Sequence, residues 1–371
     1  MRVLVLNAGS SSVKLRVVEP DDTVVHRADL DAPRGRPGEG VLADTAARLA
    51  REAGGVDAVG HRVVHGGAEF TGPTVVEHDV LERIERLGVL APLHQPPAVA
   101  GIRAMTEALP DVVAVACFDT AFHATMPEAA RTYAVPPRWR TELGLRRYGF
   151  HGLAHDWAAT RAARIVGRPL EELRVVVAHL GAGASACAVV GGRSVDTTMG
   201  FTPTAGLVMA TRSGDLDPSA VTWLTRRAGL PTAEVDHALD HASGLLALAG
   251  DPDMRHVLDA AAAGDGPAAL AVEVWVHRAR GQLAAMTAAA GGLDVLAFSG
   301  GIGENAPGLR GRVVDGLGFL GLALDPDADR RTVGGTEGDV SLSGAVARTV
   351  VVHAREDLVI ARQVRQTLAT R

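Results

Sequence analysis

The 371 residues predict an α/β protein built from two similar halves. Three observations carry that expectation. Short apolar runs alternate with helical stretches along the chain, the pattern of sheets flanked by helices. The opening segment VLVLNAGSSSVKLRVVE is echoed half a chain later by RVVVAHLGAGASACAVVGG. Each is an apolar strand, a tight turn of small residues and a second strand, as a duplicated domain would give. The length exceeds one ordinary core and suits two domains of about 150–200 residues.

Taken in order, strand-like runs occupy 3–6, 13–19, 57–67, 112–118, 174–180, 186–192, 294–300 and 349–354. Helical stretches fall at 42–54, 155–167, 268–290 and 356–371. The first two strands of each half read as adjacent hairpin strands, so purely parallel winding is disfavoured. The boundary between the halves is placed near 148–152, around RRYGFHG, giving domains of 1–149 and 150–356.

The totals narrow the function. The chain has 47% hydrophobic and 22% charged residues, and 37 basic against 43 acidic side chains leave a net −6. That balance argues against nucleic acid or an anionic membrane as partner. No apolar run approaches the roughly 18 residues of a membrane span. The start MRVLVLNAGSSS is too short in its apolar part for a signal peptide. Cys117 and Cys187 lie far apart in apolar surroundings, which points away from a disulfide framework and toward a reducing cytoplasm.

Three glycine-rich loops follow strand-like runs: NAGSSSVK (7–14), GAGASA (181–186) and SGGIGENA (299–306). Small residues allow close backbone approach, and successive N–H groups with serine hydroxyls form a nest for anions; Lys14 adds a cation. The P-loop pattern is absent. GAGASA fits the dinucleotide fingerprint formally, yet that motif must open a helix, and the next residues read as a strand. Three such loops at strand ends favour a nucleotide site over unrelated turns.

Charged residues gather at strand ends beside glycine or proline: Arg62 in GHRVVHGG, Asp119 in CFDTAFH, His151 in YGFHG and Arg212 in ATRSGDLDP. Phosphoryl transfer needs cations on the developing charge, a metal on the phosphates and an aligned acceptor, which such a set would supply. The nonperiodic run 196–218 reads as a functional loop. His61–His65 and His151–His155 are each four apart, but H-E-x-x-H is absent and no cysteine is near, so zinc is disfavoured.

LNAGSSSVKL, GHRVVHGG, LAPLHQPPA, FDTAFHATMP, RRYGFHGLAH, HLGAGAS, DTTMGFTPTAGLVMATRSGDLDP and SGGIGEN occur in the order found in acetate kinases. The resemblance covers nearly the whole chain. It implies duplicated ribonuclease-H-like (actin-like ATPase) domains with an interdomain cleft, and a homodimer formed through the second, nucleotide-binding domain. The C-terminal helix, about 357–371, would pack back on the first domain. ATP and ADP would be the nucleotides, with Mg²⁺ or Mn²⁺, and acetate and acetyl phosphate the other substrates.

For the site, the resemblance implies that Asn7 and Glu356 help hold the metal. Ser10, Ser12, Lys14, His179, Gly181 and Gly183 would serve the phosphates. Asp253, Arg255, Gly301, Ile302, Gly303, Glu304 and Asn305 would flank the adenine. Arg62 and Arg212 would hold acetate and the transferring phosphoryl group, Asp119 would orient the acceptor, and His151 would donate to phosphoryl oxygens. Val64, Leu93, Phe150 and Pro203 would line the acyl pocket, with His94 nearby.

The sequence departs from the family pattern at several positions. Ala182 stands for an Asn in the second loop, Gln95 and Ala98 alter LHNPPN, and TPLEG becomes TPTAG, so Ala205 replaces a carboxylate. MGTR becomes MATR, and GFHGTSH becomes GFHGLAH. A kinase for propionate or another short acid therefore stays open, as does an actin-like ATP-binding protein weakened in transfer.

Overall fold

The computed structural model describes residues 1–9, 12–32, 38, 40–92 and 94–370. The chain divides into two compact units. The first comprises Met1–Ala124, Phe150–Trp157 and Arg355–Arg371, and the second Thr125–Gly149 and Ala158–Ala354. Residues 125–149 thus group with the second unit, and Phe150–Trp157 with the first.

The first unit holds β1 (Val3–Ala8), β2 (Ser12–Val18), β3 (Val24–Asp31), β4 (Ala58–Val63), β5 (Thr74–Val75) and β6 (Val113–Phe118). Their order in the sheet is β3-β2-β1-β4-β6-β5. The first three strands form an antiparallel meander, β4 and β6 continue in parallel with β1, and short β5 closes the edge antiparallel. The second unit holds β7 (Arg174–Leu180), β8 (Ala184–Val190), β9 (Arg193–Thr197), β10 (Val295–Ser299), β11 (Gly338–Asp339) and β12 (Arg348–Val351). Its order, read from the meander side, is β9-β8-β7-β10-β12-β11, with the same pattern of directions. The two sheets share one ribonuclease-H-like plan, and the duplication read from the two glycine hairpins extends to every strand.

The hairpins are the expected ones. β1 and β2 pair from Val3↔Val18 to Ala8↔Val13, and the Gly9 N–H donates to the Ser12 carbonyl at 2.8 Å. In the second unit the Gly181 N–H donates to the Gly183 carbonyl at 3.0 Å, and β8 follows as an antiparallel strand. A dinucleotide fold would need a helix there. The run 57–67 was expected to stay extended, but β4 stops at Val63. The Gly66 N–H turns to the Thr120 hydroxyl at 2.9 Å and the Gly67 N–H to His65 Nδ1 at 2.8 Å, which takes the backbone out of the ladder.

Both faces of the first sheet are covered, which is why β1 is buried throughout its apolar part. Even-numbered Leu4 and Leu6 join Leu15, Leu42, Leu49 and Met105 in a core under the helices Val41–Glu52 and Gln95–Ala108. Odd-numbered Val3 and Val5 join Val115, Cys117 and the helix Glu356–Ala369 through Val359, Ile360 and Val364. Gly60 on β4 makes room for that helix: a Cβ there would lie 2.5 Å from Ile360 Cγ2 and 2.8 Å from Val364 Cγ2. The second sheet packs against the helix Gly266–Ala289. Cys117 and Cys187 are both buried, and burial pushes the Cys187 thiol up to about 12. No helix among the described residues is long and apolar enough to cross a membrane.

Candidate active site

Strand alternation assembles the first unit's polar cluster. On the face covered by the helix Glu356–Ala369, β1 presents Val3, Val5 and then Asn7, β4 presents Gly60 and then Arg62, and β6 presents Val115, Cys117 and then Asp119 just past its end. Each row is apolar or bare under the helix and polar at the carboxyl end of the strand. Glu356, the first residue of the helix, meets these three ends. Arg62 donates through Nε to Asp119 Oδ1 at 3.1 Å and through Nη2 to Asp119 Oδ2 at 2.7 Å. Its Nη1 donates to Asn7 Oδ1 at 3.2 Å and lies 3.7 Å from Glu356 Oε2, while Asn7 Nδ2 donates to Glu356 Oε2 at 2.7 Å.

Asp119 is 1% exposed and the Arg62 side chain 14%. Burial pushes the Asp119 carboxyl above its ordinary value; the Arg62 charge and hydrogen bonds and the backbone N–H of His151 pull the other way, and Glu356 adds to the rise. Burial alone would lower Arg62, but the carboxylates of Asp119 and Glu356 outweigh it and hold the guanidinium charged. Asn7 Oδ1, both Asp119 oxygens and Glu356 Oε2 thus set oxygen atoms around one guanidinium. That donor set suits a hard cation that completes its shell with phosphate oxygens and water. Among the described residues no three His, Cys, Asp or Glu side chains cluster as a closed metal cage, so Asn7 and Glu356 would hold such a cation together with a phosphorylated ligand.

His151 sits at φ 57°, a left-handed conformation uncommon outside glycine, next to Asp119. The corner is fixed by the Gly152 N–H donating to the Asp119 carbonyl at 2.9 Å and the His155 N–H donating to the His151 carbonyl at 2.9 Å. Phe150 and Val64 are buried in the same unit, and the Phe150 carbonyl lies 2.9 Å from His123 Nε2. Asn7 and Lys14 pair across the first hairpin, and Ser12 opens β2. Ser10 and Leu93 lie outside the described residues. His94 stands at the N-cap of the helix Gln95–Ala108.

The second unit gathers its own set. The Ala182 carbonyl accepts from the Ala210 N–H at 3.0 Å, which ties the Gly181–Gly183 turn to the loop carrying Arg212. Gly300, at φ 78°, abuts the same turn: a Cβ there would lie 2.7 Å from the Leu180 carbonyl oxygen. His179 pairs with Ser299 across β7 and β10, so the second and third glycine loops leave adjacent strand ends. Arg212 is partly buried and donates through Nη1 to the Pro203 carbonyl at 3.1 Å and toward Met209 Sδ at 3.6 Å. It makes no ion pair within 4.0 Å among the described residues. Burial lowers its pKa and the charge of Asp240 opposes that shift. Asp253 and Arg255 pair with each other at 2.5 Å at the start of the helix Met254–Ala262, and Asp253 caps that helix.

Gly301, Ile302 and Gly303 lie in the short helix Gly300–Asn305. Glu304 turns its carboxylate inward, accepting from the Gly300 N–H at 2.9 Å, from the Ala354 N–H at 3.0 Å and lying 2.6 Å from His353 Nδ1. Asn305 spans the Gly301 carbonyl and the Gly334 N–H. Arg310, missed in the sequence, is 1% exposed and clamps this loop through the carbonyls of Gly303 and Glu304 while pairing with Asp329 at 2.7 Å. Its signal was a charge on the buried stripe of a helix beside Leu309, Val313 and Val314.

The model of the acetokinase family matches residues 41–362. An acetate kinase from Leifsonia xyli subsp. xyli is 47% identical over 358 residues, covering 96% of this chain and 87% of its own. Among solved structures, a propionate kinase from Francisella tularensis subsp. tularensis superposes with a TM-score of 0.89 at 36% identity, covering 98% of each chain. The acetate kinase of Porphyromonas gingivalis superposes with a TM-score of 0.89 at 34% identity over 99% of each. With matches of this extent, the chain belongs to the acetokinase family.

Proposed function

We propose that the protein is an acetate kinase that reversibly transfers the γ-phosphoryl group of ATP in line to acetate, giving acetyl phosphate and ADP. The observation that carries this reading is Arg212, a partly buried cation that spends one Nη on a carbonyl and a thioether and, among the described residues, is neutralised by no carboxylate in contact. Such a guanidinium is preorganised for an incoming anion.

A carboxylate substrate is ionised at neutral pH, since free carboxyl groups titrate near about 4. No strong base is needed. The chief obstacle is repulsion between acceptor and γ-phosphate. Arg62 and Arg212 offset that repulsion, and His151 donates to the phosphoryl oxygens. Asp119, with both oxygens engaged by Arg62, orients that guanidinium. Mg²⁺ or Mn²⁺ held by Asn7 and Glu356 would supply bridging and charge neutralisation on the phosphates. Ser10, Ser12, Lys14, His179, Gly181 and Gly183 serve the phosphate chain, and Asp253, Arg255 and the Gly301–Asn305 backbone serve the adenine. Val64, Leu93, Phe150 and Pro203 admit a short acyl chain. A homodimer fits the exposed Leu216, Trp223 and Leu270 of the second unit, and the cytoplasm fits two buried cysteines that lie far apart in sequence.

One methylene in an apolar pocket changes binding by about 1–3 kcal/mol. Propionate is thus a poorer substrate rather than an excluded one, and the likeness to a propionate kinase keeps the longer acid as a second reading. Hydroxylamine trapping of acyl phosphate with ATP and C1–C4 acids tests both. Acetohydroxamate should dominate. A higher kcat/KM for propionate selects the second reading, and ATP binding with no hydroxamate from any acid overturns both.

A further inference from the structure

The loop that carries Arg212 is held from outside itself. On one side of the arginine, Thr211 Oγ1 donates to the Asp240 carbonyl at 2.9 Å. On the other, the Ser213 N–H donates to the Leu239 carbonyl at 3.0 Å. Both carbonyls belong to the last turn of the helix Thr232–His241, where C=O groups lack partners within the helix. Just past that helix the Ser243 N–H returns to the Thr211 carbonyl at 2.9 Å and the Leu245 N–H to the Met209 carbonyl at 2.9 Å. The path of residues 209–213 is therefore inherited from the end of this helix.

Asp240 adds its side chain to the same support. Its carboxylate accepts a hydrogen bond from the Thr204 hydroxyl. Thr204 follows Pro203, whose carbonyl takes the Arg212 Nη1 proton. Asp240 thus reaches both the backbone beside Arg212 and the segment that receives its guanidinium. Its charge acts on Arg212 against the effect of burial, yet the two make no ion pair within 4.0 Å. A direct bidentate pair would consume the donors an anion needs; a carboxylate one residue removed leaves them available. Ala205, where the family pattern carries a carboxylate, supplies none. Thr204 and Asp240 bring one to the same segment from a different element.

We propose that Asp240 is a positioning residue for Arg212, fixing the loop through its own carbonyl and through Thr204 and supplying a counter-charge that stops short of contact. This rests on the role given to Arg212 above. The test compares Asp240→Ala and Asp240→Asn in the wild-type and Arg212→Ala proteins, using initial rates with ATP and acetate. Asp240→Ala should lower kcat about tenfold and raise the KM for acetate, leaving the KM for ATP within about twofold. Asp240→Asn should fall between, since its carbonyl oxygen still accepts from Thr204. In the Arg212→Ala background the same change should cost less than about twofold, because its effect runs through the missing guanidinium. Equal losses in both backgrounds, or wild-type constants for Asp240→Ala, overturn the proposal. If Asp240→Ala melts early, Thr204→Val cuts the same link outside the helix and must show the same background dependence, or the proposal fails. Normal turnover by Arg212→Ala would overturn the proposed mechanism itself, whereas an impaired Arg212→Ala with an inert Asp240→Ala sinks only the role of Asp240.

Discussion

The two arginines assigned to the reaction are held in opposite ways. Arg62 is locked on both oxygens of Asp119 and on Asn7, so its position is fixed before any ligand arrives. Arg212 is fixed mainly through its backbone neighbours and keeps most of its donors. Their substitutions should therefore differ. Arg212→Ala should lower kcat by at least about tenfold with the melting temperature nearly unchanged, since it removes an interaction made to the transition state. Arg62→Ala should lower turnover and also destabilise, because it strands the buried Asp119, a change that costs about 3–5 kcal/mol when an ion pair loses one partner. Steady-state kinetics and urea unfolding of both variants check this; an Arg62→Ala protein as stable as wild type would contradict the locked-pair description. The residue types at both positions were readable from their strand-end settings. Which of the two is saturated was not, because that depends on Asp119, Asn7 and Glu356, which only folding brings together.

Among elements, the helix Glu356–Ala369 decides most about the site. Its body covers the rows that end in Asn7, Arg62 and Asp119, and its first residue is itself part of the cluster. Gly60→Ala on β4 should push against Ile360 and Val364, costing about 1–3 kcal/mol as overpacking does. Ile360→Ala in the same chain should recover part of that loss, so the double variant should unfold at a higher urea concentration than additivity predicts. Strict additivity would contradict the close approach. The two hairpins, the alternation of strands and helices, and the strand after GAGASA were legible because they rest on local chemistry. The short stop of β4 was hidden, since the side-chain hydroxyl of Thr120 captures the Gly66 N–H from far along the chain. The inward turn of the Glu304 carboxylate and the clamp by Arg310 were hidden for the same reason: their partners Ala354, His353 and Asp329 are distant in sequence.

At the scale of the whole molecule, acid stability reflects buried histidines outside the reaction. His61 is 1% exposed, its ring nitrogens have no hydrogen-bond partner among the described residues, and burial lowers its pKa to about 3. His65 is lowered by burial to about 4. An unfolded histidine takes up its proton near pH 6.5, the folded His61 ring only near pH 3, so between those values the unfolded state binds more protons. Stability is therefore full above the unfolded value and falls as pH drops through the window. From pH 7 to pH 5 His61 alone should remove roughly 2 kcal/mol. The raised Asp119 acts with the opposite sign, so the comparison is best made between wild type and His61→Leu, whose loss over the same interval should be smaller by that amount. Equal losses in urea titrations at the two pH values would contradict a neutral buried ring. The duplication itself was legible from the two hairpins. The division of the chain at 125–149 and 150–157 was not, because no break in composition marks it.

The position of Glu356 has a consequence for biosynthesis. Asn7 leaves the ribosome 349 residues before the Glu356 carboxylate that completes its cluster, and Val3, Val5 and Val115 emerge long before the helix that shields them. Early-made segments with exposed apolar strands are prone to association while they wait. A nascent chain that stops short of Glu356 thus retains every arginine assigned to chemistry and yet lacks the helix that covers its first core, which ties competence for turnover to the synthesis of residues 356–369.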